Sequence, residues 1–145
     1  IQKAFGTSFD IATYLPKVYK DLDVDIALRN FGVAPTFGTY KSKLPTSLNV
    51  AMTYPYKQWM FYEQHNLMKK NMTSGFGVSY KYEVKDQGVV FGKVGYFTDT
   101  MHKLTYPTFG LDLKYDRYFI GMSYIYGDKT LPVSNTFRLT INLEI

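Results

Sequence analysis

An antiparallel β-barrel that spans a membrane is the fold class this sequence predicts, and three observations carry that prediction. Apolar and polar residues alternate through nine separate segments. Many of these run about 9–11 residues, the length that crosses a bilayer at a tilt, whereas strands of water-soluble proteins average about 5–6. The connections between the last five segments alternate in length, about three, nine, two and eight residues, as in barrels with tight turns at one end and loops at the other.

The first segment is Phe5–Tyr14, with Phe5, Thr7, Phe9, Ile11 and Thr13 on one side and Pro16 as its expected end. In the second, Asp21–Asn30, Leu22, Val24, Ile26 and Leu28 alternate with Asp21, Asp23, Asp25, Ala27 and Arg29. A connection from Phe31 to Pro45, holding Gly32, Pro35 and Gly38, is too long for a tight turn. Ser47–Tyr54 aligns Leu48, Val50, Met52 and Tyr54. Gln58–Lys70 is the least regular segment, because Glu63 and His65 fall on the face of Trp59 and Phe61. It reads as a strand, a short helix or a rim segment. Gly75–Val84 sets Phe76, Val78, Tyr80, Tyr82 and Val84 against Gly75, Gly77, Ser79, Lys81 and Glu83. After the break Asp86-Gln87-Gly88 comes Val89–Phe97, then a loop from Thr98 to Tyr106. Thr108–Tyr115 turns at Asp116-Arg117 into Tyr118–Gly127, and a loop leads to the last segment. There the alternation is unbroken from Thr136 to Ile145.

A water-soluble sandwich also alternates, burying the apolar side. The barrel is favoured because Tyr54, Tyr82, Tyr96, Tyr115, Tyr118 and Tyr126 collect near segment ends, where amphipathic rings settle at a lipid–water boundary. The opposite sides carry Gly, Ser and Thr with charges of both signs, which suits a crowded, hydrated lumen. Backbone groups in lipid must all be paired, so such a sheet is expected to close on itself. Nine strands is odd where bacterial single-chain barrels use even numbers. Either the fourth segment does not span, leaving eight strands, or further N-terminal strands precede Ile1.

Composition agrees. The 145 residues fit one domain, residues 1–145. Aromatics reach 18% and charged residues only 20%, against about 25% for an average globular chain. The net charge of +5 is dispersed, with no basic stripe for nucleic acid, and fits lipopolysaccharide phosphates and no particular partner equally well; outer-membrane lipid and lipopolysaccharide are the partners expected of a barrel. There is no Cys, which excludes disulfides, thiolate metal sites and a Cys nucleophile.

The chain offers little catalytic chemistry, and no enzymatic activity, metal or cofactor is expected. His65 and His102 are the only histidines; they are expected in different loops or rims, with no carboxylate or Cys at ligand spacing, and read as structural or surface residues. Asp21, Asp23 and Asp25 lack the Gly and distant Glu of a calcium loop and read as a lumen-facing row. Ser8, Ser47, Ser79 and Ser123 have no evident histidine partner. The expected inner polar network is Lys81, Glu83, Lys93, Asp112, Lys114, Arg138 and Glu144, with Arg138 paired to Glu144 or Asp112, and Lys81 or Lys93 to Glu83.

Several stretches carry a family resemblance. Gly77 to Tyr82, Lys93 to Tyr96, Phe109 to Tyr115 and Leu131 to Leu143 resemble the closing strands of PorV/PorQ-type proteins, FadL-like outer-membrane barrels of the type IX secretion system of Bacteroidetes. Ala27 to Gly32 and Leu44-Pro45 are similar to earlier motifs of that family, while Lys93 stands where it usually has Arg. The resemblance implies the C-terminal portion of a roughly 14-stranded porin-like barrel. It implies a non-enzymatic role in protein transport, binding and shuttling secreted cargo or partner subunits through outer loops. Tyr106, Pro107, Leu131 and Pro132 are the contact candidates in those loops. The alternative is a FadL-like or OmpW-like channel for hydrophobic small molecules, with Phe91, Phe97, Phe119 and Ile125 lining its inner side.

Overall fold

The computed structural model describes residues 5–37, 40–85, 88–127 and 135–143. These form eleven strands: β1 (Thr7–Tyr19), β2 (Leu22–Val33), β3 (Thr36–Phe37), β4 (Tyr40–Lys41), β5 (Ser47–Tyr56), β6 (Trp59–Met68), β7 (Asn71–Val84), β8 (Gly88–Asp99), β9 (Leu104–Tyr115), β10 (Tyr118–Ile125) and β11 (Thr136–Leu143). Nine of them make one antiparallel meander in the order β1-β2-β5-β6-β7-β8-β9-β10-β11, and β3 and β4 form a small separate hairpin. Among the described residues β1 pairs only with β2 and β11 only with β10, so the sheet is open.

All nine alternating segments are strands of this sheet, including the irregular fourth one, now β6. Several boundaries differ from expectation. Pro16 does not end β1, which continues to Tyr19 across an irregularity between Leu15 and Tyr19. A proline lacks a ladder donor, and an edge strand with a bulge accommodates it. The connection expected from Thr98 to Tyr106 shrinks to Thr100–Lys103, because β8 and β9 each extend toward it. The long connection after β2 holds β3 and β4.

Tight turns Lys20-Asp21, Lys57-Gln58 and Asp116-Arg117 lie at one end, and Lys20, Lys57 and Asp116 adopt φ of 55°, 55° and 49°. A positive φ at the first central residue matches the turn to the strands' right-handed twist. The connections after β2, β8 and β10 gather at the other end, as does one more tight turn, Lys69-Lys70.

From β5 to β11 the register runs without a slip, so each row of the sheet can be read across strands. Met60, Ser79, Lys93, Gly110, Ser123 and Arg138 form one row. The neighbouring row, Trp59, Tyr80, Gly92, Leu111, Met122 and Leu139, faces the other way. One face is therefore polar and small, the other apolar and aromatic.

Burial on these faces is inverted relative to a water-soluble domain. No apolar residue is buried among those described, and Ile141, Leu139 and Phe109 are 67%, 55% and 50% exposed. Ser47, Ser74, Ser79, Asp99 and Asp112 are buried instead, and all of these except Ser74 lie on the polar face. The accessible surface is 11248 Å² for a 16.8 kDa chain. A folded soluble monomer of that mass would show roughly 7,600 Å². Among the described residues the sheet is a single layer, with no second layer against its apolar face.

Candidate functional site

The polar face carries ion pairs that its register explains. Lys93 on β8 bonds Asp112 on β9, one step off the direct register in which Lys93 opposes Gly110. Gly110 has no side chain, so the lysine stem can cross it. Lys81 bonds Glu83 two residues along β7. Lys93 thus serves Asp112 rather than Glu83. Arg138 and Lys114 lie on the same face, in register with Ser123 and Phe119. Glu144 lies outside the described residues.

Asp23 and Asp25 share this face, opposite Thr53 and Ala51. Asp23 accepts hydrogen bonds from the Tyr14 hydroxyl at 2.8 Å and the Lys17 amide at 2.9 Å, closing the β1 irregularity. Phe91, Phe97, Phe119 and Ile125 also project from the polar face. Phe97 stacks on Tyr106 with ring centroids 4.9 Å apart. A groove of about 330 Å³ lies there, floored by Gly75 and Gly77 and walled by Tyr62, Phe97, Tyr106 and Ile125.

Two of the expected loop contacts are placed differently. Tyr106 is a β9 strand residue on the polar face, held by its stacking on Phe97. Pro107 is also in β9, on the apolar face opposite Tyr96. Both belong to the sheet because the β8–β9 hairpin pairs out to Asp99 and Leu104. Leu131 and Pro132 lie outside the described residues.

At the loop end, the Asp99 carboxylate accepts from the amides of Met101 and His102 at 3.0 and 3.1 Å, and its other oxygen meets His102 Nδ1 at 2.9 Å. Asn71 Oδ1 accepts from the Met101 amide and the Thr100 hydroxyl, tying the β6–β7 and β8–β9 turns together. Among the described residues no group of three or more His, Asp or Glu side chains is placed to hold a metal ion.

The apolar face of β5 to β11 bears two charged or imidazole side chains, Glu63 and His65, among the described residues. They are joined: His65 Nε2 lies 2.8 Å from Glu63 Oε1. His65 Nδ1 lies 2.9 Å from the hydroxyl oxygen of Ser74, directly opposite on β7. In the neutral-ring tautomer with its hydrogen on Nε2, Nε2 donates to the carboxylate and Nδ1 accepts from the serine O–H. Thr98 opposes Ser74 on its other side. An apolar furrow of about 520 Å³ runs from Glu63 past Phe61, Phe76, Val78 and Tyr96.

Along the chain no histidine stands beside a strand serine, and nothing local marks Ser74. The signal was present in the turn. Positions 65 and 74 are equidistant from Lys69-Lys70, so a two-residue hairpin there sets them face to face.

No known family description, no curated protein and no solved structure matches this chain.

Proposed function

We propose that this chain is wall of an outer-membrane β-barrel, with its apolar face against lipid and its polar face toward the lumen. The observation that carries the reading is the inverted burial. A single sheet with 11248 Å² of surface leaves its large apolar side chains uncovered while it buries Asp112 and Ser79. Lipid satisfies that arrangement and water does not. Such a wall is complete only when its edges β1 and β11 are paired, whether with each other or with further strands.

Within that class we assign it to the secretion type, binding and shuttling cargo or partner subunits from its loop end, on the strength of its resemblance to PorV/PorQ-type barrels. The full-length protein from its native outer membrane tests both levels. A barrel migrates faster unboiled than boiled in electrophoresis. A secretion barrel, captured after mild solubilisation, retains secreted proteins that share one C-terminal domain. Identical migration in both conditions together with release into buffer without detergent rejects the barrel. Capture of no such cargo rejects the secretion role alone.

A second reading, a channel for hydrophobic small molecules, draws on the groove over Gly75 and Gly77 with its Phe97, Tyr106 and Ile125 walls. A fatty acid retained through purification and displaced by Gly75→Trp supports it.

A further inference from the structure

We propose that Glu63, His65 and Ser74 form an acyl-ester hydrolase site on the outside of the sheet, opening into the bilayer. The proposal rests on the reading of the apolar face as lipid-facing.

The observation is a continuous hydrogen-bonded relay of carboxylate, imidazole and hydroxyl, at 2.8 and 2.9 Å, on a face that is otherwise apolar. Nucleophile beside base, and base beside an orienting carboxylate, is the arrangement that activates a serine, whatever the fold. All three groups stand on paired strands rather than loops, which fixes their geometry. Ser74 is three residues from the start of β7, about 10 Å along the strand from the β6–β7 turn. That is off-centre in a bilayer whose hydrocarbon is about 30 Å thick. Ser74 thus lies toward the loop end of β7 rather than at its middle, the side on which a lipid ester would be met, and the furrow beyond Glu63 offers Phe61, Phe76 and Tyr96 to an acyl chain.

In the reaction, the Ser74 oxygen attacks the ester carbonyl carbon and its proton passes to His65 Nδ1. Glu63 holds the Nε2 proton and stabilises the imidazolium, so it is a positioning residue. We take Thr98, in register with Ser74 on β8, as the hydroxyl that meets the carbonyl oxygen as charge develops there. The tetrahedral adduct collapses, and the departing alcohol oxygen takes the Nδ1 proton, leaving the acyl chain on Ser74. Water then attacks the acyl carbonyl and gives one proton to Nδ1. The fatty acid departs, and that proton returns to the Ser74 oxygen. Ser74 is only 5% exposed and the furrow reaches the relay only at Glu63, so attack requires side-chain movement that uncovers the serine.

The test uses the full-length protein in outer-membrane vesicles and an alkyl fluorophosphonate, which labels activated serines. Labelling at Ser74, abolished by Ser74→Ala, lowered about 100-fold by His65→Gln and about tenfold by Glu63→Gln, is the expected result. Ser79→Ala, on the polar face, leaves the labelling unchanged. Release of fatty acid from vesicle phospholipid or lipopolysaccharide falls in the same order. Heat-dependent migration, read on the same samples, separates the outcomes. A heat-modifiable protein whose Ser74 stays unlabelled overturns the ester site and leaves the barrel standing. A protein that is not heat-modifiable overturns both. Labelling that survives His65→Gln overturns the relay and shows the Glu63–His65–Ser74 contacts to be structural.

Discussion

Lys93 and Asp112 form an ion pair that crosses Gly110 from β8 to β9, and its two ends are unequally covered: the Asp112 side chain is 11% exposed and that of Lys93 44%. The two partners should therefore respond differently to mutation. Lys93→Met strands a covered carboxylate and should cost about 1–3 kcal/mol. Asp112→Asn leaves a half-exposed lysine that water can serve, and should cost less. The shift in the temperature at which the compact electrophoretic form is lost measures both, and equal losses would contradict the asymmetry.

Lys81 and Glu83 make the comparison pair. Their side chains are 43% and 70% exposed, so water and salt screen the interaction. Glu83→Gln should leave the same transition unchanged within error, at low and at high salt.

Adjacent residues on β11 separate the two faces. Leu139 is on the apolar face, and Thr140 on the polar face in the row of Asp112. Leu139→Arg should destabilise the protein in vesicles by about 2–4 kcal/mol, since its charge meets hydrocarbon. Thr140→Arg should cost little, because the Asp112 carboxylate lies on its side and the proposed barrel turns that side to a hydrated lumen. Urea unfolding from vesicles reads the difference, and equal costs would remove the distinction between lipid and lumen.

The two glycines Gly75 and Gly95 should also diverge. A Cβ on Gly95 would sit 2.6 Å from Thr108 Oγ1 and 3.1 Å from the Phe76 carbonyl oxygen, whereas a Cβ on Gly75 meets nothing within 4 Å. Gly95→Ala should cost about 1–3 kcal/mol in the same unfolding measurement. Gly75→Ala should be close to neutral.

The sequence by itself determined which side of each strand is apolar. Side chains alternate with a period of two, so Phe137, Leu139, Ile141 and Leu143 had to share a face once the segment was extended. It located all nine strands of the large sheet for the same reason. Strand ends escaped it, because Tyr106 and Pro107 are paired by contacts with Phe97 and Tyr96 on another strand, and the local residues carry no mark of that pairing. The tertiary structure alone decided which charges meet. Lys93 chooses Asp112, and His65 meets Ser74 as well as Glu63, because register sets side by side residues that the chain keeps apart. Period fixes a face, but only hydrogen-bonded register fixes a neighbour, and the ion pairs and hydrogen bonds of this sheet are made between neighbours.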